Sequence, residues 1–304
     1  MVDDSGFGTG TPPAGRRGAK RSSLSPDIDH RSSRFVSANE QTIHYLDWGG
    51  AGRPILLLHG LRDQAHEWDT IAPLLRPFGR VIALDQRGHG ASSHPPTGYA
   101  PEDFAADLAA FCAALALPAS VVIGHSLGGR TAYLHAADHP EQVIALAVID
   151  IGADAAPATI PGAIAALRAG YGPFQNYADA TRALLGSEQR PNASMRRYLE
   201  YNLHRDAAGR LAWRYSLDAA IAATRLSRAR AYWDVVRRLR VLTLLVRGAR
   251  SDVLPPAEAA QFCATVPDHR CTLVEIPGAG HLVPQARPYE LAAILQDWLA
   301  PLLR

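Results

Sequence analysis

The segment Ser120-Val121-Val122-Ile123-Gly124-His125-Ser126-Leu127-Gly128-Gly129-Arg130 sets a serine in G-x-S-x-G spacing, with an apolar run before it and a helical stretch after it. In a sharp strand-to-helix turn, flanking glycines relieve crowding and let the serine hold a strained backbone with its hydroxyl exposed. A phosphate-binding loop would need G-x-x-x-x-G-K-[ST], which is absent here. A serine hydroxyl is a weak nucleophile at neutral pH. It needs an imidazole within hydrogen-bond reach to take its proton and a carboxylate to orient that imidazole. In this motif's chain order, both partners follow the serine. His281 closes Pro277-Gly278-Ala279-Gly280-His281, a glycine-rich loop after the last strand-like run. Asp252 lies in Arg247-Gly248-Ala249-Arg250-Ser251-Asp252, after the run before that one. The expected triad is Ser126, Asp252 and His281, with Asp150, at the end of Val143–Ile149, as the alternative acid.

Positioning these groups calls for a parallel sheet. Thr42–Leu46, Pro54–Leu58, Arg80–Leu84, Ser120–Ile123, Val143–Ile149, Val241–Val246 and Cys271–Ile276 are mostly continuous apolar runs, the pattern of strands buried on both faces. Phe104, Leu108, Phe111 and Leu115 recur at helical spacing, with Pro101 suited to the first turn and Pro118 beyond the end. Open sheets of this kind gather functional groups at the carboxyl ends of their strands. Between about Ala153 and Arg240 no strand-like run is visible, and this stretch holds six of the ten tyrosines with Trp213 and Trp233. It reads as a helical insertion. The expected organisation is a tail over 1–33, a core over 34–152 and 241–304, and a lid over 153–240.

Composition narrows the function classes. Basic and acidic residues number 31 and 29, so the formal charge is only +2, and the basic set is arginine apart from Lys20. Neither nucleic acid nor an anionic membrane is called for as a partner. The stretch Leu108–Ile123 comes nearest to a membrane span and is broken by Pro118 and Ser120. Residues 1–33 are rich in Gly, Ser, Pro and charge and carry no apolar core of a secretory signal. Cys112, Cys263 and Cys271 show no CxxC spacing, so the sequence indicates neither a disulfide framework nor a zinc site, and a reducing cytoplasmic setting is expected.

These features together resemble the α/β-hydrolase superfamily over roughly residues 35–304. The resemblance rests on the serine turn, on Leu58-His59-Gly60-Leu61, on Asp85-Gln86-Arg87-Gly88-His89-Gly90 and on Gly278-Ala279-Gly280-His281; Val148-Ile149-Asp150-Ile151-Gly152 is similar to a segment of its small esterases. It implies an oxyanion hole formed by the backbone N–H groups of Leu61 and Leu127. It also implies structural roles for Asp85, Arg87 and His89, and a fastening of the oxyanion loop by His59. Relatives that hydrolyse epoxides or haloalkanes carry an aspartate where Ser126 stands. The His-Gly-Leu-Arg loop differs from the His-Gly-Gly-Gly form tied to tertiary-alcohol esters.

The resulting expectation is a serine esterase or lactonase acting on a small-molecule substrate, with no cofactor or metal. Its rivals are carbon–carbon bond hydrolysis or another acyl transfer on the same triad, and a non-turnover ligand receptor on the same fold. Residues expected at the pocket are His59, Arg62, Trp68, His125, Tyr171, Phe174, Trp213 and Trp233, with Asp63, His66 and Arg130 as further candidates. His125, inside the serine turn, is also expected to pack beneath the nucleophile. Oligomeric state is not legible.

Overall fold

The computed structural model describes residues 31–185 and 193–303. The chain runs β1 (Ser32–Ala38), β2 (Gln41–Gly49), β3 (Pro54–Leu58), α1 (Ala72–Leu75), β4 (Arg80–Leu84), α2 (Pro101–Ala114), β5 (Ser120–His125), α3 (Leu127–Asp138) and β6 (Val143–Ile149). An insertion follows: α4 (Ile160–Ala169), α5 (Tyr177–Leu185), α6 (Ala193–Asn202), β7 (Leu203–Arg205), β8 (Leu211–Trp213), α7 (Leu217–Arg228) and α8 (Trp233–Val236). The last part is β9 (Leu242–Gly248), α9 (Pro256–Thr265), β10 (Cys271–Ile276), α10 (Val283–Ala286) and α11 (Pro288–Leu299).

Eight strands form one sheet in the order β1-β2-β4-β3-β5-β6-β9-β10. Strand β2 is antiparallel to both its neighbours, and the pairs from β4 through to β10 are parallel. The apolar runs are continuous because each strand feeds two cores. Leu56, Leu58 and Val122 face one cluster, while Ile55, Leu57, Val121 and Ile123 face the other. Each such side chain contributes about 1.5–3 kcal/mol on burial. Helix α2 covers the sheet with Phe104, Leu108 and Phe111, and Asp103 caps its start by accepting from the Ala100 N–H at 2.8 Å. The chain proceeds from β3 to β4 on one side, then crosses to β5 on the other. The sheet thus has its topological switch point between β3 and β5, where the His59 loop and the serine turn emerge side by side.

Several expectations are corrected. The sheet begins at Ser32, so residues 32 and 33 belong to β1, since their backbones pair with Asp47 and Leu46. Residues 1–30 of the expected tail lie outside the described residues. The insertion holds the short hairpin β7–β8, whose three-residue strands are too brief to leave an alternating pattern. Tyr232, Val235, Val236 and Leu239 pack into the sheet's own core, so core packing resumes before Val241. Cys263 and Cys271 are bonded as a disulfide joining α9 to β10, a pairing that a separation of eight residues did not signal. Among the described residues no helix is long and apolar enough to cross a membrane.

The turn after β4 fastens the sheet edge to the loop after β3. Asp85 is buried; it accepts from the Ala65 N–H at 2.7 Å and the Ala91 N–H at 2.8 Å, and its carboxylate lies 2.7 Å from the His44 Nδ1. Beside it, Arg87 and Asp107 form a buried bidentate pair. Asp85→Ala would strand the buried Ala65 N–H, the part-buried Ala91 N–H and His44, so a loss of about 3 kcal/mol of unfolding free energy is expected in a urea titration.

Candidate active site

Four loops meet at the carboxyl ends of β3, β5, β6 and β10. Parallel pairing sets their heights: His125 is level with Ile149, and Ile149 with Val246. The Ser126 N–H donates to the Ile149 carbonyl at 2.9 Å, and the Asp150 N–H donates to the Val246 carbonyl at 2.8 Å. Ser126 adopts φ +52° and ψ −114°, the strained turn expected of the motif. A Cβ at Gly128 would come within 2.3 Å of the Leu58 carbonyl oxygen, so only glycine lets α3 begin this close to β3. A Cβ at Gly248 would lie 2.2 Å from the Gly280 carbonyl oxygen, so glycine there admits the histidine loop.

The His281 Nε2 lies 3.0 Å from the Ser126 Oγ, and its Nδ1 lies 2.7 Å from the Asp150 Oδ2. An ionised carboxylate can only accept a hydrogen bond, so the neutral ring carries its hydrogen on Nδ1 and leaves Nε2 free to accept from the serine. Burial pushes the His281 pKa below its ordinary value; the Asp150 hydrogen bond opposes this and the neighbouring His125 adds to it. The lowered pKa leaves the ring mostly neutral at pH 7.

The acid position is a correction. Asp150 follows β6 directly, with φ +53°, and is buried. It accepts from the Gly248 N–H at 2.8 Å and the Ser251 hydroxyl at 2.5 Å as well as from His281. Asp252 is exposed on the loop after β9, where it lines the cavity without a hydrogen bond to His281. Ser251, one residue earlier, is spent on Asp150, and the loop then turns to bond the Val253 and Leu254 N–H groups to the Ser251 hydroxyl.

Opposite the histidine, the N–H groups of Leu61 and Leu127 meet no protein acceptor among the described residues, and both residues line the cavity with Ser126. His59 secures this loop. Its Nε2 accepts from the Gln86 N–H at 2.9 Å, so its Nδ1 donates to the Gly60 carbonyl at 2.7 Å.

A cavity of about 550 Å³ opens over Ser126 and His281. Of the expected pocket residues, only Arg130 lines it. His59 and Trp68 are core residues, and His125 lies beneath the serine. Phe174, Trp213 and Tyr198 build the insertion's own core, while Tyr171 packs against that core and Trp233 against the sheet core. Arg62 gives its carbonyl to the Tyr198 hydroxyl at 3.2 Å. Asp63 is buried, and His66 stacks on Tyr201. The aromatics of the insertion were needed to fold it, because a helical cap of this size requires a core of its own. The lining that sequence reasoning missed comes from α7, the loop after β6 and the first turn of α9: Arg228, Asp154 and Glu258 join Arg130 and Asp252. Burial and the nearby Arg130 lower the Arg228 pKa, against the pull of Asp252.

Residues 55–294 match the sequence pattern of the alpha/beta hydrolase family. The chain belongs to that family. An α/β hydrolase from Mesorhizobium japonicum, 2-(acetamidomethylene)succinate hydrolase, is 30% identical over 264 residues, covering 86% of this chain and 92% of its own. An esterase of Mycobacterium tuberculosis is 30% identical over 284 residues, covering 90% and 89%. The crystal structure of E-2-(acetamidomethylene)succinate hydrolase superposes with a TM-score of 0.81 at 27% identity, over 89% of this chain and 100% of that one. As an α/β hydrolase with these relatives, the chain is a hydrolase, and the central sheet flanked by helices is that of the family.

Asp150→Asn should lower kcat/KM by about 10³–10⁴, as expected where the carboxylate fixes the imidazole tautomer, whereas Asp252→Asn should stay within about tenfold. Steady-state kinetics of both variants on one ester will order the two acids.

Proposed function

We propose that the chain is a serine hydrolase that cleaves a carboxylic ester or lactone through an acyl-enzyme. The observation that carries this reading is the unbroken series Ser126 Oγ, His281 and Asp150, at 3.0 and 2.7 Å, opening into a cavity flanked by two unused backbone donors. Ser126 attacks the acyl carbonyl while His281 Nε2 takes its proton, and Asp150 stabilises the imidazolium. The Leu61 and Leu127 N–H groups receive the oxyanion, each worth on the order of 3 kcal/mol in the barrier. His281 then returns the proton to the leaving alkoxide and activates water against the acyl-enzyme. The insertion acts as a lid, seated on the oxyanion loop by the Tyr198 hydroxyl on the Arg62 carbonyl and by Asn202 on Asp63.

The cavity also supports a second reading of the scissile group. Its charged lining by Arg130, Arg228, Asp154, Asp252 and Glu258 suits a substrate with polar or ionised substituents better than a plain alkyl ester. A relative named for a substituted succinate is in keeping with that. Cleavage of a different acyl bond on the same triad is therefore the alternative to ester hydrolysis.

The deciding experiment is turnover by the purified chain on esters, lactones and vinylogous diketones, including monoesters of dicarboxylic acids, with Ser126→Ala as control. Repeated turnover of an ester or lactone, abolished in the variant, is expected. Preference for diketones would move the assignment to carbon–carbon cleavage, and a single slow turnover would indicate a receptor. Because only neutral His281 accepts the serine proton, kcat/KM should fall as pH drops through the His281 pKa. The lowered value sets that acidic limb below about pH 6.5, the free-imidazole value.

A further inference from the structure

Beneath the serine turn lies a second histidine–carboxylate pair that the mechanism above does not use. His125 Nδ1 stands 2.6 Å from the Glu67 Oε1, and its Nε2 stands 2.9 Å from the carbonyl oxygen of His281. The two ring nitrogens thus face a carboxyl oxygen and a carbonyl oxygen, an arrangement that favours a hydrogen on each and so the imidazolium form. The Glu67 side chain is entirely buried, and its other oxygen accepts from the Gly60 N–H at 2.9 Å. Gln285, on α10 just after the histidine loop, donates to the Glu67 Oε1 at 3.1 Å and to the Asp63 Oδ2 at 2.7 Å. One carboxylate therefore touches the oxyanion loop, the serine turn and the segment carrying His281. Sequence reading singled out Asp63, His66 and Trp68 around it but passed over Glu67.

We propose that Glu67 is a positioning residue for the acyl-transfer reaction: through Gly60 it holds the oxyanion loop, and through His125 it holds the main chain of His281 against Ser126. This rests on the reading of His281 as the base. The pair also has an electrostatic consequence. The His125 and His281 rings lie 5.1 Å apart, so a positive His125 opposes a second positive charge on His281. The groups facing the two rings are Glu67 and Asp63 from the loop after β3, His59 at its start, Asp150 after β6 and Asp252 after β9. Burial alone would lower the His125 pKa, but the charge and hydrogen bond of Glu67 outweigh it and the net shift is upward. Burial and the adjacent Glu67 drive the Asp63 pKa well above its ordinary value.

The test uses the full chain and the rate at which a fluorophosphonate labels Ser126 as a function of pH, which needs no natural substrate. Wild type, Glu67→Gln and Glu67→Gln/His125→Gln are compared, the double variant leaving no uncompensated buried charge if the single one folds poorly. Both variants should label roughly ten- to a hundredfold more slowly at the plateau. Their acidic limb should move up by about half to one pH unit, because His281 loses its positive neighbour. Similar losses in the single and double variants are expected of groups acting as one unit. A limb that stays in place, or a plateau within twofold of wild type, overturns the proposal, whatever the change in melting temperature. Wild type that fails to label at Ser126 overturns the functional reading itself. Independently of labelling, ¹⁵N NMR of the wild-type imidazoles should show His125 still doubly protonated at pH 7, above the free-imidazole value of about 6.5, and a neutral ring there refutes the ion pair.

Discussion

Asp150 has its carboxylate wholly withdrawn from water, a state that costs several kcal/mol unless hydrogen bonds replace the lost hydration. Three donors do so: the Gly248 N–H, the Ser251 hydroxyl and the His281 Nδ1–H. Two come from the end of β9 and the loop after it and the third from the loop after β10, and they are in reach only because β6, β9 and β10 are adjacent and in register. The site therefore depends on the sheet in a direct way. A slip in that pairing would leave the carboxylate unsatisfied and the imidazole unoriented.

The same economy of backbone groups governs the opposite side of the rim. His59 is committed through both ring nitrogens to the Gln86 N–H and the Gly60 carbonyl, which fixes the loop bearing Leu61. Gly128 brings the start of α3 against that loop, its N–H donating to the His59 carbonyl at 3.1 Å. Two N–H groups then remain without a protein acceptor, at the place where an oxyanion would form. Below them, Glu67 and His125 fill the space between the loops with a buried ion pair. Ser126, His281 and the two N–H groups thus sit on a polar layer that includes Glu67 and His125, and a small shift in one loop is transmitted to the others.

Much of this was legible in the residues. Continuous apolar runs such as Pro54–Leu58 announced strands covered on both faces, because burial on two sides leaves no polar alternation. Ser126 was legible from its flanking glycines, and His281 from its glycine-rich loop beyond the last strand. The acid was not. Asp150 and Asp252 both follow strands, and sequence order cannot tell which side chain turns inward. The aromatics of the insertion misled in another way: Phe174 and Trp213 are hydrophobic enough to line a pocket, yet they close on one another.

The sequence by itself determined the architecture and the strained serine turn, since hydrophobic period and glycine placement act over short stretches and leave local marks. Only the tertiary structure decided which carboxylate meets His281, the lining of the cavity and the partner of His125. Those depend on how strands 98 to 131 residues apart are laid side by side, as in the bonds from Gly248 and His281 to Asp150. Electrostatic contact is set by distance in space, and no spacing along the chain records it.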